Sequence, residues 1–155
     1  MAVPVIGKVL LDTNVFIDYL RTGSHTDWVW GTRGQMVRLL SAVVLLELRL
    51  GAGTPRRKRA VDRIQAAFPS DRLLSPTPGL FSRAGQLFHR LYGDGKALTD
   101  RLGPVNDLLI ALTAWSVGAA VVTSNRREFA RIATHLPGLS VIEPESDQPL
   151  PGFRQ

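Results

Sequence analysis

The sequence predicts an α/β domain with a mainly parallel central sheet covered on both faces. Three observations carry that prediction. Short continuous apolar runs, Val9-Leu10-Leu11 and Ala120-Val121-Val122 among them, alternate along the chain with longer stretches of helical periodicity. The first of these runs stops abruptly at polar residues, as a strand buried on both faces does where it meets the edge of a sheet. At 155 residues the chain is one domain's worth. A chain of that size buries roughly 70% of its unfolded surface and needs no metal or disulfide to fold.

The elements follow in order. Val9-Leu10-Leu11 is the first strand and meets Asp12-Thr13-Asn14. Val15, Phe16, Tyr19 and Leu20 then recur at helical spacing, with Gly23 as the stop. Residues 24–34, holding Trp28, Trp30, Gly31 and Gly34, read as irregular. Residues 36–40 are the second strand, and Ser41 caps a helix that runs to Leu50 and ends at Gly51. Thr54-Pro55 opens the next helix, since Pro suits the first helical position. That helix carries Arg56-Arg57-Lys58-Arg59 and an apolar stripe of Val61, Ile64, Ala67 and Phe68. Residues 72–74 are a short strand, and residues 80–91 a helix closed by Gly93-Asp94-Gly95. The helices after Leu50 and around Leu80 form an excursion within the same domain. Pro104 starts a helix through Leu108, Leu109, Leu112 and Trp115 to Gly118. A strand at 120–123, a helix at 129–134 and a strand at 140–142 complete a domain over residues 1–145. Residues 146–155 read as a loose tail.

Composition narrows the function. Hydrophobic residues at 45% and charged residues at 21% exclude a disordered chain or a fibre. With no cysteine there is no disulfide scaffold, thiolate zinc site, iron–sulfur cluster or cysteine nucleophile. A net charge of +6 favours a polyanionic partner, most simply nucleic acid. The longest apolar stretches, 43–46 and 108–112, fall far short of the ~20 residues that span a bilayer. The N-terminus lacks the basic start and long apolar core of an export signal. The expected location is therefore the cytoplasm, with no membrane partner.

Three carboxylates stand out. Asp12 directly follows a buried strand, and two readings of it are open: a helix N-cap or part of a site at the sheet's carboxyl edge. Glu47 lies in the apolar stretch Ala42-Val43-Val44-Leu45-Leu46-Glu47-Leu48. A carboxylate there either faces solvent, pairs with Arg38 or Arg49, or belongs to a buried charged site. Asp107 falls in the first turn predicted after Pro104, where the helix dipole alone favours an acid. Together, three acids at one sheet edge of a basic protein repel one another, and a divalent cation removes that cost. Hard oxygen donors without His or Cys suit Mg²⁺ or Mn²⁺, which can activate water against a phosphodiester.

Competing chemistries lack their residues. His25, His89 and His135 have no metal-ligand spacing, and neither a Walker A loop nor a Gly-x-Ser-x-Gly elbow is present. Arg56 to Arg59 read either as a solvated face or as a phosphate contact. Trp28 and Trp30 read either as packing or as base-stacking residues.

The motifs carry a family resemblance. Leu11-Asp12-Thr13-Asn14-Val15-Phe16-Ile17-Asp18-Tyr19-Leu20 resembles the opening motif of PIN-domain ribonucleases, particularly VapC-like toxins of type II toxin–antitoxin systems. Residues 41–51 are similar to the second motif, with its Glu at Glu47. Asn106-Asp107-Leu108-Leu109-Ile110-Ala111 is similar to the third, with its Asp at Asp107. Residues 121–129 resemble the fourth, and Val141-Ile142-Glu143-Pro144 the closing strand. The resemblance implies a three-layer α/β/α domain, Mg²⁺- or Mn²⁺-dependent RNA cleavage, a homodimer, and inhibition by a cognate antitoxin whose tail covers the acidic site. It implies catalytic roles for Asp12, Glu47 and Asp107, with Asp12 and Asp107 as direct metal ligands, and supporting roles for Asn14 and Thr123. One departure stands out. The fourth motif often supplies an Asp where this chain has Asn125, and Glu128 three residues later either compensates or points away.

The leading expectation is therefore a metal-dependent endoribonuclease, with Arg56, Arg57, Arg126 and Arg127 on the RNA backbone. A non-cleaving PIN-like RNA-binding module is the alternative that Asn125 favours. A phosphoacceptor built on Asp12 ranks last, because the first strand lacks an adjacent acidic pair.

Overall fold

The computed structural model describes residues 7–32 and 34–145. Five strands form one sheet: β1 (Gly7–Leu11), β2 (Met36–Ser41), β3 (Leu73–Leu74), β4 (Ala120–Val122) and β5 (Val141–Ile142). All four pairings are parallel, and the order across the sheet is β3-β2-β1-β4-β5. Seven helices among the described residues flank it: α1 (Thr13–Thr22), α2 (Thr26–Trp30), α3 (Ala42–Leu50), α4 (Pro55–Ala66), α5 (Pro78–Tyr92), α6 (Leu102–Ser116) and α7 (Arg126–Ala133). From β1 the chain moves outward through β2 to β3, then crosses back to add β4 and β5 on the other side. The winding reverses between β1 and β4, the point where open α/β sheets place their ligands.

Local sequence explains most of this frame. Val9, Leu10 and Leu11 are all buried because helices cover both faces of β1. Side-chain caps open four helices. Asp12 Oδ1 accepts from Thr13 N, Ser41 Oγ from Val43 N, Thr54 Oγ1 from Arg57 N and Thr77 Oγ1 from Leu80 N. Each such cap contributes about 1 kcal/mol. Gly23 closes α1 in the left-handed region, at φ +74°, donating to Tyr19 O. α1 buries Val15 and Phe16, and Phe16 meets Phe68 edge-on at 6.2 Å. α6 is buried from Leu108 to Ala114 and packs against α3, α5, α7 and β4. The excursion through α4 and α5 thus returns to the body of the fold through α6.

Several boundaries shift by one or two residues from expectation, and four differences have a definite physical reason. The stretch read as irregular holds α2, stabilised by tertiary burial: Trp28 and Val29 are buried, and Trp28 Nε1 donates to Pro144 O at 2.8 Å. α6 starts two residues before Pro104, because Asp100 accepts from Leu102 N and Gly103 N. Pro104 then sits in the first turn, where its missing N–H costs nothing. α7 starts at Arg126 rather than at residue 129, through a polar exposed turn with no apolar period. Only Leu73 and Leu74 of the third expected strand pair with β2; Ser70–Arg72 is a 3-10 turn. The expected tail at 146–155 lies outside the described residues. No helix among the described residues is long and apolar enough to cross a membrane.

Candidate active site

Asp12 and Thr123 are the residues immediately after β1 and β4, and the pairing of Leu11 with Val122 brings them side by side. The Asp12 N–H extends that ladder to Val122 O at 2.9 Å. Asp12 is only 5% exposed, and both its oxygens are held. Oδ1 accepts from Thr13 N at 2.8 Å; Oδ2 accepts from Thr123 Oγ1 at 2.8 Å and from Asn14 Nδ2 at 3.2 Å. Asn14 Nδ2 also reaches Thr123 Oγ1, while its Oδ1 accepts from Ser124 N. The two readings of Asp12 therefore hold together: it caps α1 and anchors a polar network across the point of reversal. Burial raises its pKa above the ordinary carboxylate range; the Thr123 and Thr13 bonds oppose this, and the Glu47 charge adds to it.

Glu47 faces α1 rather than open solvent, its Oε1 accepting from Thr13 Oγ1 at 2.7 Å. The arginines expected as partners are engaged elsewhere. Arg49 pairs with Asp62 at 2.7 Å and bonds Gln65, and Arg38 donates to Val29 O while lying over the Phe68 ring. Asp107 lies in the second turn of α6, not the first, so the helix dipole does not explain it. It is half-buried, and among the described residues its carboxylate has no hydrogen-bond donor and no cation. Burial first, then the charges of Asp12 and Glu47, push its pKa up to about 7. Those couplings place the three acids in one electrostatic field, and no Lys or Arg among the described residues pairs with any of them.

The remaining expected residues divide. Asn125 enters through its backbone N–H, which donates to Thr123 Oγ1 at 2.9 Å, while its side chain is exposed. Glu128 accepts from the Tyr92 hydroxyl. Arg126 pairs with Glu143 at 3.7 Å, and Arg127 is exposed. Arg56 and Arg57 line a cleft of about 480 Å³ between α1, α3 and α4, together with Glu47, Arg21, Ile17 and Leu20. Beyond Leu20 and Arg56 a second hollow of about 290 Å³ adds Tyr19, Trp30 and Arg63. Trp28 is a core residue, whereas Trp30 is partly exposed against Tyr19. Sequence reasoning missed Thr13 and Arg21. Thr13 stands between two expected site residues, which was its only signal, because Thr at a helix start is otherwise ordinary.

The donor set is chemically hard, all oxygen and negatively charged. No group of three or more Asp, Glu, His or Cys among the described residues is arranged to hold an ion by itself. Mg²⁺ does not require one, since it keeps several waters and takes one or two carboxylates. Asp107, an acid with no protein donor beside two further acids, fits such an ion.

Solved structures share the fold. VapBC-1 from nontypeable Haemophilus influenzae matches with a TM-score of 0.64 at 23% identity, over 90% of this chain and 99% of that one. DNA-bound VapBC from Salmonella typhimurium matches with a TM-score of 0.64 at 24% identity, over 90% and 99%. VapBC-5 from Mycobacterium tuberculosis, described as a member of the VapBC family of toxin-antitoxin systems, matches at 0.56 and 22%, over 88% and 98%. Curated protein sequences give no match. The PIN domain family model matches residues 9–134, most of the chain and all three acids, and the chain belongs to the PIN domain family.

Proposed function

We propose that this protein is a metal-dependent endoribonuclease acting in the cytoplasm as the toxin of a toxin–antitoxin pair. The observation that carries the reading is the uncompensated acidic trio at the reversal point of a basic protein. Asp12 and Asp107 would hold Mg²⁺ or Mn²⁺, with Asn14 and Thr123 fixing the Asp12 carboxylate. Bound there, the ion would supply charge neutralisation at the phosphodiester and a lowered pKa for water. Glu47, with Oε1 held by Thr13, takes the proton of the attacking water. Arg56 and Arg57 on the cleft wall, with Arg126 and Arg127 on α7, hold phosphates without reading sequence. The solved VapBC structures support an antitoxin partner; coverage of the acids by that partner's tail, and a homodimer, are parts of the same proposal.

The test is cleavage of structured RNA by wild type beside Asp12→Asn, with Mg²⁺, Mn²⁺ or EDTA. Discrete fragments that need metal and vanish in the variant support the reading; metal-independent fragments, or equal cleavage by the variant, reject it. A second reading, an RNA-binding module without turnover, is favoured by one observation. Asn125 supplies no charge and Glu128 is engaged by Tyr92, so neither adds a fourth carboxylate to the trio. RNA affinity without metal-dependent fragments is its mark.

A further inference from the structure

We propose that Thr13 is a positioning residue, which fixes the placement of the Asp12 and Glu47 carboxylates relative to one another. The inference rests on the ribonuclease reading above. Thr13 N donates to Asp12 Oδ1 at 2.8 Å, and Thr13 Oγ1 donates to Glu47 Oε1 at 2.7 Å, across 34 residues of sequence. One residue thus bonds an acid at the end of β1 and an acid on α3. Both donors belong to the first residue of α1, which is 8% exposed and follows a capping residue with fixed backbone. Thr is β-branched and stiff at χ1, so its hydroxyl inherits the orientation of the helix start.

Glu47 needs such a restraint. Its side chain is long, and the cleft it lines also holds Arg21, Arg56 and Arg57. A free Glu47 carboxylate would be drawn onto those arginines, which would neutralise it and occupy the phosphate-binding charges. Among the described residues it pairs with none of them. With Oε1 bonded to Thr13, the carboxylate is anchored beside Asp12 and Oε2 makes no hydrogen bond among the described residues. Glu47 borders both the acidic centre and the basic cleft, and its bond from Thr13 lies on the acidic side.

The experiment compares Thr13→Val, which keeps the backbone donor and the shape, with Thr13→Ser, which keeps the hydroxyl. Three readouts are taken: steady-state RNA cleavage in Mg²⁺, Mn²⁺ affinity without RNA by electron paramagnetic resonance, and thermal melting. Thr13→Val should lose roughly tenfold to a hundredfold in kcat with KM nearly unchanged, and should bind Mn²⁺ several-fold more weakly. Thr13→Ser should restore both. Thr13→Ala, a second hydroxyl-free variant, should repeat the Val pattern if Val proves unstable. Wild-type kcat and Mn²⁺ affinity in the Val variant, or a Ser variant as impaired as Val, would overturn the proposal. A wild type that cuts no RNA removes the ribonuclease reading instead, and the Mn²⁺ comparison then decides Thr13. A wild type that neither cuts nor binds Mn²⁺ overturns both.

Discussion

Asp107 carries the least compensated charge of the site, and its protonation ties folding to pH. Its folded pKa of about 7 lies above the ordinary carboxylate range, so the folded protein binds that proton more tightly than the unfolded chain. The stabilisation is complete at acid pH, fades as pH rises through the unfolded carboxylate range, and is lost above about 7. Above that point the metal-free protein folds around a repelled charge. Asp107→Asn stays neutral throughout. In EDTA it should melt higher than wild type at pH 8, on the order of 5 °C, with the gap closing toward pH 5. Parallel pH profiles for the two proteins in thermal melts would contradict the assignment. In Mg²⁺ the same substitution should abolish cleavage, so stability gained and activity lost separate its two effects. Asp12 is raised as well, but its bonds from Thr123 and Thr13 oppose the shift. Asp12→Asn keeps a cap on α1 yet replaces the Oδ2 acceptor of the Thr123 and Asn14 bonds with a donor, so it disturbs that network too.

At the scale of elements, α4 offers a test that the acids do not touch. Arg56 and Arg57 are exposed on the cleft wall beside Glu47. If both contact phosphates, replacing both with Ala should weaken RNA binding uniformly across sequences. It should also flatten the dependence of log affinity on log salt by roughly 1.4, the value for two single-strand contacts. An unchanged slope in filter binding would return this helix to a solvated face. The same elements show what sequence could reveal. α3 was legible at both ends because Ser41 and Gly51 carry local signals, and Thr54-Pro55 marked α4 equally well. α2 was not, since Trp28 and Val29 are held by distant packing and by a bond to Pro144. The start of α6 was misplaced because Asp100 holds its first two amides, two residues before Pro104, and this moved Asp107 from the first turn to the second. Glu47 was legible as an oddity in an apolar run, but its partner Thr13 was invisible: a bond between α1 and α3 leaves no trace in spacing.

On the scale of the whole molecule, the site exists only because the winding reverses. Asp12 and Thr123 are 111 residues apart and bond at 2.8 Å, since β1 and β4 are neighbours at the centre of the sheet. Glu47 and Asp107 arrive on α3 and α6, which pack against each other. Folding therefore has to force three acids together without a paired Lys or Arg, and β1 and α6, buried in the core, oppose that repulsion. A cation that binds the folded acids but not the unfolded chain relieves the repulsion and raises global stability by mass action. At about a hundred times its Kd the gain is about 2.7 kcal/mol, or roughly 5–10 °C in melting temperature for a chain of this size. Wild type should show that rise with Mn²⁺ at pH 8, whereas Asp12→Asn and Asp107→Asn should not. Melting curves across a Mn²⁺ titration check it directly. A rise of equal size in all three proteins would mean that the ion binds away from the acids, and the fold would then be supporting a charged cluster with no cation to neutralise it.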